Sequence, residues 1–131
     1  MNKSMLNTRL NTATAVAAAG QLPLGSAVHG LGCGIKLNGN AITITEAGLY
    51  KIIANATYAI TGTNAVEVDM LANNAVIARA SETPSATGAI ANVTPIGTVY
   101  IKCNCLAPVT ITFTASEAGT LNELDVLVER M

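Results

Sequence analysis

The dominant hydrophobic periodicity of this chain is two: in run after run, apolar residues recur at every second position. A period of two places them on one face of an extended strand and not on one stripe of a helix. Ile42 and Ile44 alternate with Thr43 and Thr45. Val66, Val68 and Met70 alternate with Glu67 and Asp69, and Val109, Ile111 and Phe113 with Thr110, Thr112 and Thr114. Each run reads as a half-buried strand with an apolar face and a Thr or acidic face. Residues 50–60 place Tyr50, Ile52, Ala54, Ala56, Tyr58 and Ile60 on one side, and Leu124, Val126 and Val128 repeat the pattern near the end, so two long strands are predicted there.

Turn-forming residues separate these runs: Asn38-Gly39-Asn40, Glu46-Ala47-Gly48, Thr61-Gly62-Thr63-Asn64, Asn73-Asn74, Thr83-Pro84-Ser85, Ala107-Pro108 and Ala118-Gly119. Many short strands joined by tight turns describe a β-sandwich or barrel. Helical signal is confined to residues 6–19, where Ala is frequent but Thr8, Thr12 and Thr14 weaken it. The chain divides into an N-terminal arm, residues 1–20, and an all-β domain, residues 21–131. The arm is expected to be a docking segment or a first strand. Its apolar residues Met5, Leu6, Leu10 and Val16 are the candidate docking contacts, too apolar for a solvated tail and too irregular for an independent amphipathic helix.

Charge and cysteine content narrow the partners. Charged residues make up 11% of the 131 residues, against roughly 25% in an average soluble domain. The formal net charge of -1 offers no basic field for nucleic acid or anionic lipid. No stretch reaches the roughly 18 apolar residues of a membrane span. Residues 14–19, preceded by Lys3 and Arg9 and ending in Ala17 and Ala19, imitate a secretory signal, but their core is short and Thr-rich. Hydrophobic residues are 50% of the chain and almost all aliphatic. A domain this small cannot hide them all, so part of its surface is expected to be covered by assembly. Cys33, Cys103 and Cys105 are an odd count. Cys103 and Cys105 lie two apart in a strand-like stretch, a poor geometry for bonding each other, so three reduced, partly buried thiols are expected.

Three stretches, taken in order, carry a family resemblance. Leu22-Pro23-Leu24-Gly25-Ser26 comes first. Ile35-Lys36-Leu37-Asn38-Gly39-Asn40-Ala41-Ile42-Thr43-Ile44 then runs into Glu46-Ala47-Gly48-Leu49-Tyr50, and residues 99–105 lead to residues 109–114. Over residues 22–131 the chain resembles the bacterial and phage branch of the tumour-necrosis-factor and complement-recognition-head superfamily. The resemblance implies a two-sheet antiparallel jelly-roll sandwich that packs as a threefold homotrimer, its axis lined by apolar side chains of one sheet. Tyr50, Leu127 and Met131 are the expected trimer-interface residues. Leu127 and Met131 are opposite in phase to Leu124, Val126 and Val128, so both faces of the last strand are apolar. Aromatics are scarcer than in vertebrate members, which speaks against a cytokine-like receptor role.

Catalytic chemistry is weakly represented. His29, the one histidine, lies in the Gly-rich stretch 25–34 without an acidic neighbour to orient it, and Cys33 four residues on completes no known nucleophile pattern. Gly30-Leu31-Gly32-Cys33-Gly34 resembles a phosphate-cradling loop but precedes a strand, not a helix. Glu67 and Asp69 share a strand face, yet two carboxylates fall short of the six to eight oxygens Ca²⁺ takes. Asn55-Ala56-Thr57 and Asn92-Val93-Thr94 fit the glycosylation pattern, which Thr-rich sequences match by chance. No cofactor or metal is expected. The function expected is that of a non-enzymatic phage virion component, a capsid decoration protein or short head or tail fibre, with a capsid or other virion protein as partner. The alternatives are a bacterial cell-surface or spore-coat protein and a glycan-binding module.

Overall fold

The computed structural model describes residues 4–86 and 88–131. Among these the chain forms β1 (Met5–Leu10), β2 (Thr14–Val16), β3 (Ser26–Leu31), β4 (Ile35–Asn38), β5 (Ala41–Ile44), β6 (Gly48–Ile60), β7 (Val66–Ala72), β8 (Ala75–Glu82), β9 (Ile90–Val93), β10 (Ile96–Ile101), a 3₁₀ turn (Asn104–Leu106), β11 (Val109–Ala115) and β12 (Gly119–Arg130). The period-two runs of the sequence are β5, β6, β7, β11 and β12. The strands missed by that reading are β2 and β9, which are only three and four residues long, and the edge strands β3 and β8, which have no fully buried residue and so lack the enclosed face that writes alternation into a sequence.

The larger sheet runs β10-β6-β12-β1-β3, with β2 paired to β12 and β9 to β6; the smaller runs β4-β5-β11-β7-β8. Neighbours are antiparallel throughout, and the two sheets pack face to face as a jelly-roll sandwich. Ile52, Tyr58, Leu124, Val126 and Val128 point inward from the larger sheet to meet Ile42, Ile111, Phe113, Val68 and Met70 from the smaller, all fully buried. Each such side chain contributes about 1.5–3 kcal/mol by leaving water. A register shift between Leu121 and Glu123 adds a residue to β12 against β6, so that Leu121 and Leu124, three apart, both face the core. The β7–β8 hairpin turns through Asn73 and Asn74 at φ 49 and 68, the left-handed pair that a two-residue turn of this twist requires.

The N-terminal segment departs from the docking expectation. β1 lies between β12 and β3, with Leu6 opposite Val128 on one side and Gly30 on the other. Leu6 and Val16 belong to the buried core, Met5 and Leu10 are half-buried, and Ala19 N–H bonds to the Ala115 carbonyl at 2.8 Å. Met5, Leu6, Leu10 and Val16 are therefore strand residues and not the contacts of a free arm. Backbone pairing on both sides holds the segment where side-chain periodicity alone is ambiguous. Gly25 sits at φ 75, where a Cβ would run into the Arg9 carbonyl, and this close approach lets β3 lie against β1.

The cysteines also differ from expectation. β10 ends at Ile101, and the 3₁₀ turn that follows draws the Cys103 and Cys105 Cα atoms to 5.2 Å, within disulfide range, and the two are bonded. An extended strand would have held them farther apart, and that extension was the premise of the reduced-thiol reading. Cys33 is free and exposed, not buried.

Candidate assembly surface

The outward face of the larger sheet is built by the same alternation that builds the core. In β6 the residues between the buried ones are Leu49, Lys51, Ile53, Asn55, Thr57 and Ala59. Register extends each into a row across the sheet. Ile96 of β10, Ile53 of β6 and Leu127 of β12 stand side by side, followed by Asn7 of β1 and His29 of β3. Four residues along the strands, Tyr100 pairs with Leu49, whose carbonyl accepts the Met131 N–H at 2.9 Å. Between these rows lie Thr98, Lys51, Glu129 and Met5. Tyr100, Met131 and Ile96 are 69%, 65% and 58% exposed, and Leu49 is also exposed. Ile53 and Leu127 are half-buried at the centre. Six large apolar side chains thus share one end of one face.

The other end of that face is polar. Arg9 Nε donates to Asp125 Oδ1 at 2.7 Å, an exposed pair that raises the guanidinium pKa through its hydrogen bond and charge. Thr57 Oγ1 donates to Asn92 Oδ1 at 3.2 Å and Thr94 Oγ1 to Asn55 Oδ1 at 3.4 Å, so both Asn-x-Thr patterns lie on this face with their side chains bonded across strands.

Of the expected interface residues, Leu127 and Met131 lie on this surface and Tyr50 does not. Tyr50 has the parity of Ile52 and Ala54, is fully buried between the sheets, and donates its hydroxyl to the Glu46 carbonyl at 2.9 Å. Burial, its largest influence, raises its pKa. A side chain enclosed within its own protomer cannot line a contact with another copy. Leu49 and Ile53, of opposite parity in the same strand, lie on the outward face instead. The adjacent apolar pair Ile52 and Ile53 carried the signal in the sequence, because a strand buried on one side only would alternate there.

The remaining candidates do not converge. His29 lies on the exposed strand β3, with Cys33 in the turn beyond it. Glu67 and Asp69 are occupied by Arg79 of β8: Nε lies 2.7 Å from Asp69 Oδ1 and 3.1 Å from Glu67 Oε1, and Nη2 3.1 Å from Asp69 Oδ2. This bidentate clasp explains the acidic face of β7 without an ion. Among the described residues no group of three or more His, Cys, Asp and Glu side chains could hold a metal, and no helix is long and apolar enough to cross a membrane.

Neither a family model nor a curated protein sequence matches this chain. Solved structures match its fold. Murine APRIL at pH 5.0 superposes with a TM-score of 0.78 at 12% identity, covering 98% of this chain and 99% of that one. The globular domain of zebrafish complement 1qA gives 0.68 at 8% identity over 98% and 96%. PRD1 vertex protein P5 gives 0.67 at 13% identity over 100% and 99%. At such identities the likeness is one of fold, and the fold is the tumour-necrosis-factor-like jelly roll.

Proposed function

We propose that this protein is a non-enzymatic structural component of a phage virion that assembles as a homotrimer through the outward face of its larger sheet. The observation that carries the reading is the apolar sector made by Leu49, Ile53, Ile96, Tyr100, Leu127 and Met131. A sheet whose inner face already supplies the core has no use for a second apolar face unless something covers it. The family resemblance of the sequence supplies the threefold symmetry. The virion setting is supported by the fold likeness to PRD1 vertex protein P5, whose name places it at a vertex.

The proposed attachment does not use residues 1–20 as a free arm, because β1 is committed to the sheet. Light scattering on the purified protein tests the assembly: a mass three times the 13.3 kDa of the protomer is expected, and a monomer at micromolar concentration overturns it. Immunogold electron microscopy of phage particles tests the setting. Label on bacterial or spore surfaces instead of particles would move the protein to that class.

A further inference from the structure

We propose that the Cys103–Cys105 pair is a thiol–disulfide exchange site, taking small dithiols as co-reactant, whose redox state latches the corner at which the chain crosses from one sheet to the other. The inference is independent of the assembly reading.

The pair is poorly suited to stapling the fold. It closes a ring of only three residues, and the restriction a disulfide places on the unfolded chain grows with the length of the loop it closes. The core strands are paired without it. Asn104, Cys105 and Leu106 are all exposed, and exposed disulfides are the ones open to exchange. In the reaction a thiolate of the dithiol attacks Sγ of Cys105, and Cys103 leaves as a thiolate and takes a proton. The second thiol of the reagent then displaces Cys105. One S–S bond is broken in the protein and one forms in the reagent, with two electrons and two protons transferred.

The turn holds more than itself. Asn104, between the two cysteines, accepts the Ala47 N–H on its Oδ1 at 2.6 Å. Ala47 stands in the corner between β5 of the smaller sheet and β6 of the larger. The same corner is built by Glu46, whose carbonyl accepts from Tyr50 and whose carboxylate lies 3.6 Å from Arg130 Nη1. The disulfide keeps the Cα atoms of residues 103 and 105 at 5.2 Å, whereas two residues of extended chain span about 6.6 Å. Residues 99–105 have a strand-like pattern, so reduction lets the turn lengthen toward that value and draws the Asn104 amide off Ala47.

The test uses the intact protein. Alkylation under denaturing conditions should label one thiol per chain without reductant and all three after dithiothreitol; three labelled thiols without reductant would overturn the proposal. Amide exchange at Ala47, followed by NMR on the folded protein, should accelerate on the order of tenfold on reduction, the loss of one hydrogen bond. Exchange unchanged by reduction would overturn the latch. Asn104→Ala should give fast Ala47 exchange in both redox states. If that variant still responds to reduction by the wild-type factor, the coupling does not run through Asn104 and the latch is wrong.

Discussion

The Tyr58 hydroxyl donates to the Glu117 carbonyl at 2.6 Å, joining the C-terminal end of β6 to the turn before β12. The ring is fully buried, and burial with the nearby Glu117 charge pushes the phenol pKa up to about 12 from the usual 10. The folded state therefore keeps its proton over a range in which the unfolded chain has lost it. Its contribution is fully present below pH 10 and declines as pH rises toward 12, with a slope approaching about 1 kcal/mol per pH unit. Denaturant titrations across pH 9–12 should show this fall, and Tyr58→Phe should flatten most of it.

Thr8 is fully buried in β1, and its Oγ1 has no hydrogen-bond partner among the described residues. A desolvated hydroxyl without a partner destabilises, while a methyl of the same shape does not. Thr8→Val should raise stability by about 1 kcal/mol and the Tm by a few degrees. An unchanged or lower Tm would show that the hydroxyl is satisfied in solution.

Val126 and Leu127 are adjacent, and the strand sends them to opposite faces. Val126→Asp places a carboxylate in the inter-sheet core and should cost several kcal/mol, enough to unfold the protomer. Leu127→Glu should leave the melting of the isolated protomer within about 1 kcal/mol of wild type and abolish the trimer. Circular dichroism and light scattering on both variants separate the two effects. A Leu127→Glu trimer would remove that face from the interface.

Deletion of residues 1–10 removes β1 from between β12 and β3 and empties the Leu6 site in the core. Cooperative thermal unfolding should be lost. A truncated protein that melts like the full chain would show the segment to be dispensable, as a docking arm would be.

The all-β class, the long strands β6 and β12 and most of the inward residues were legible in the residue pattern alone. Alternation is a local property, and one buried face is enough to write it into the chain. The hairpin at Asn73 and Asn74 was legible for the same reason, since left-handed φ values select those residues. Tertiary structure alone decided the rest. Whether Met5–Leu10 docks or pairs depends on β12, which lies more than a hundred residues away, and Thr8 on its inward side obscured the pattern. That Tyr50 is enclosed and Leu49 faces outward was decided by the opposing sheet, because an apolar residue looks the same on either parity until that sheet shows which side is covered. Cys103 and Cys105 could meet only because β10 stops at Ile101 and the chain turns tightly there, and a two-residue spacing does not encode where a strand ends. Periodicity reports that a face is buried; only the packed sheets determine what buries it.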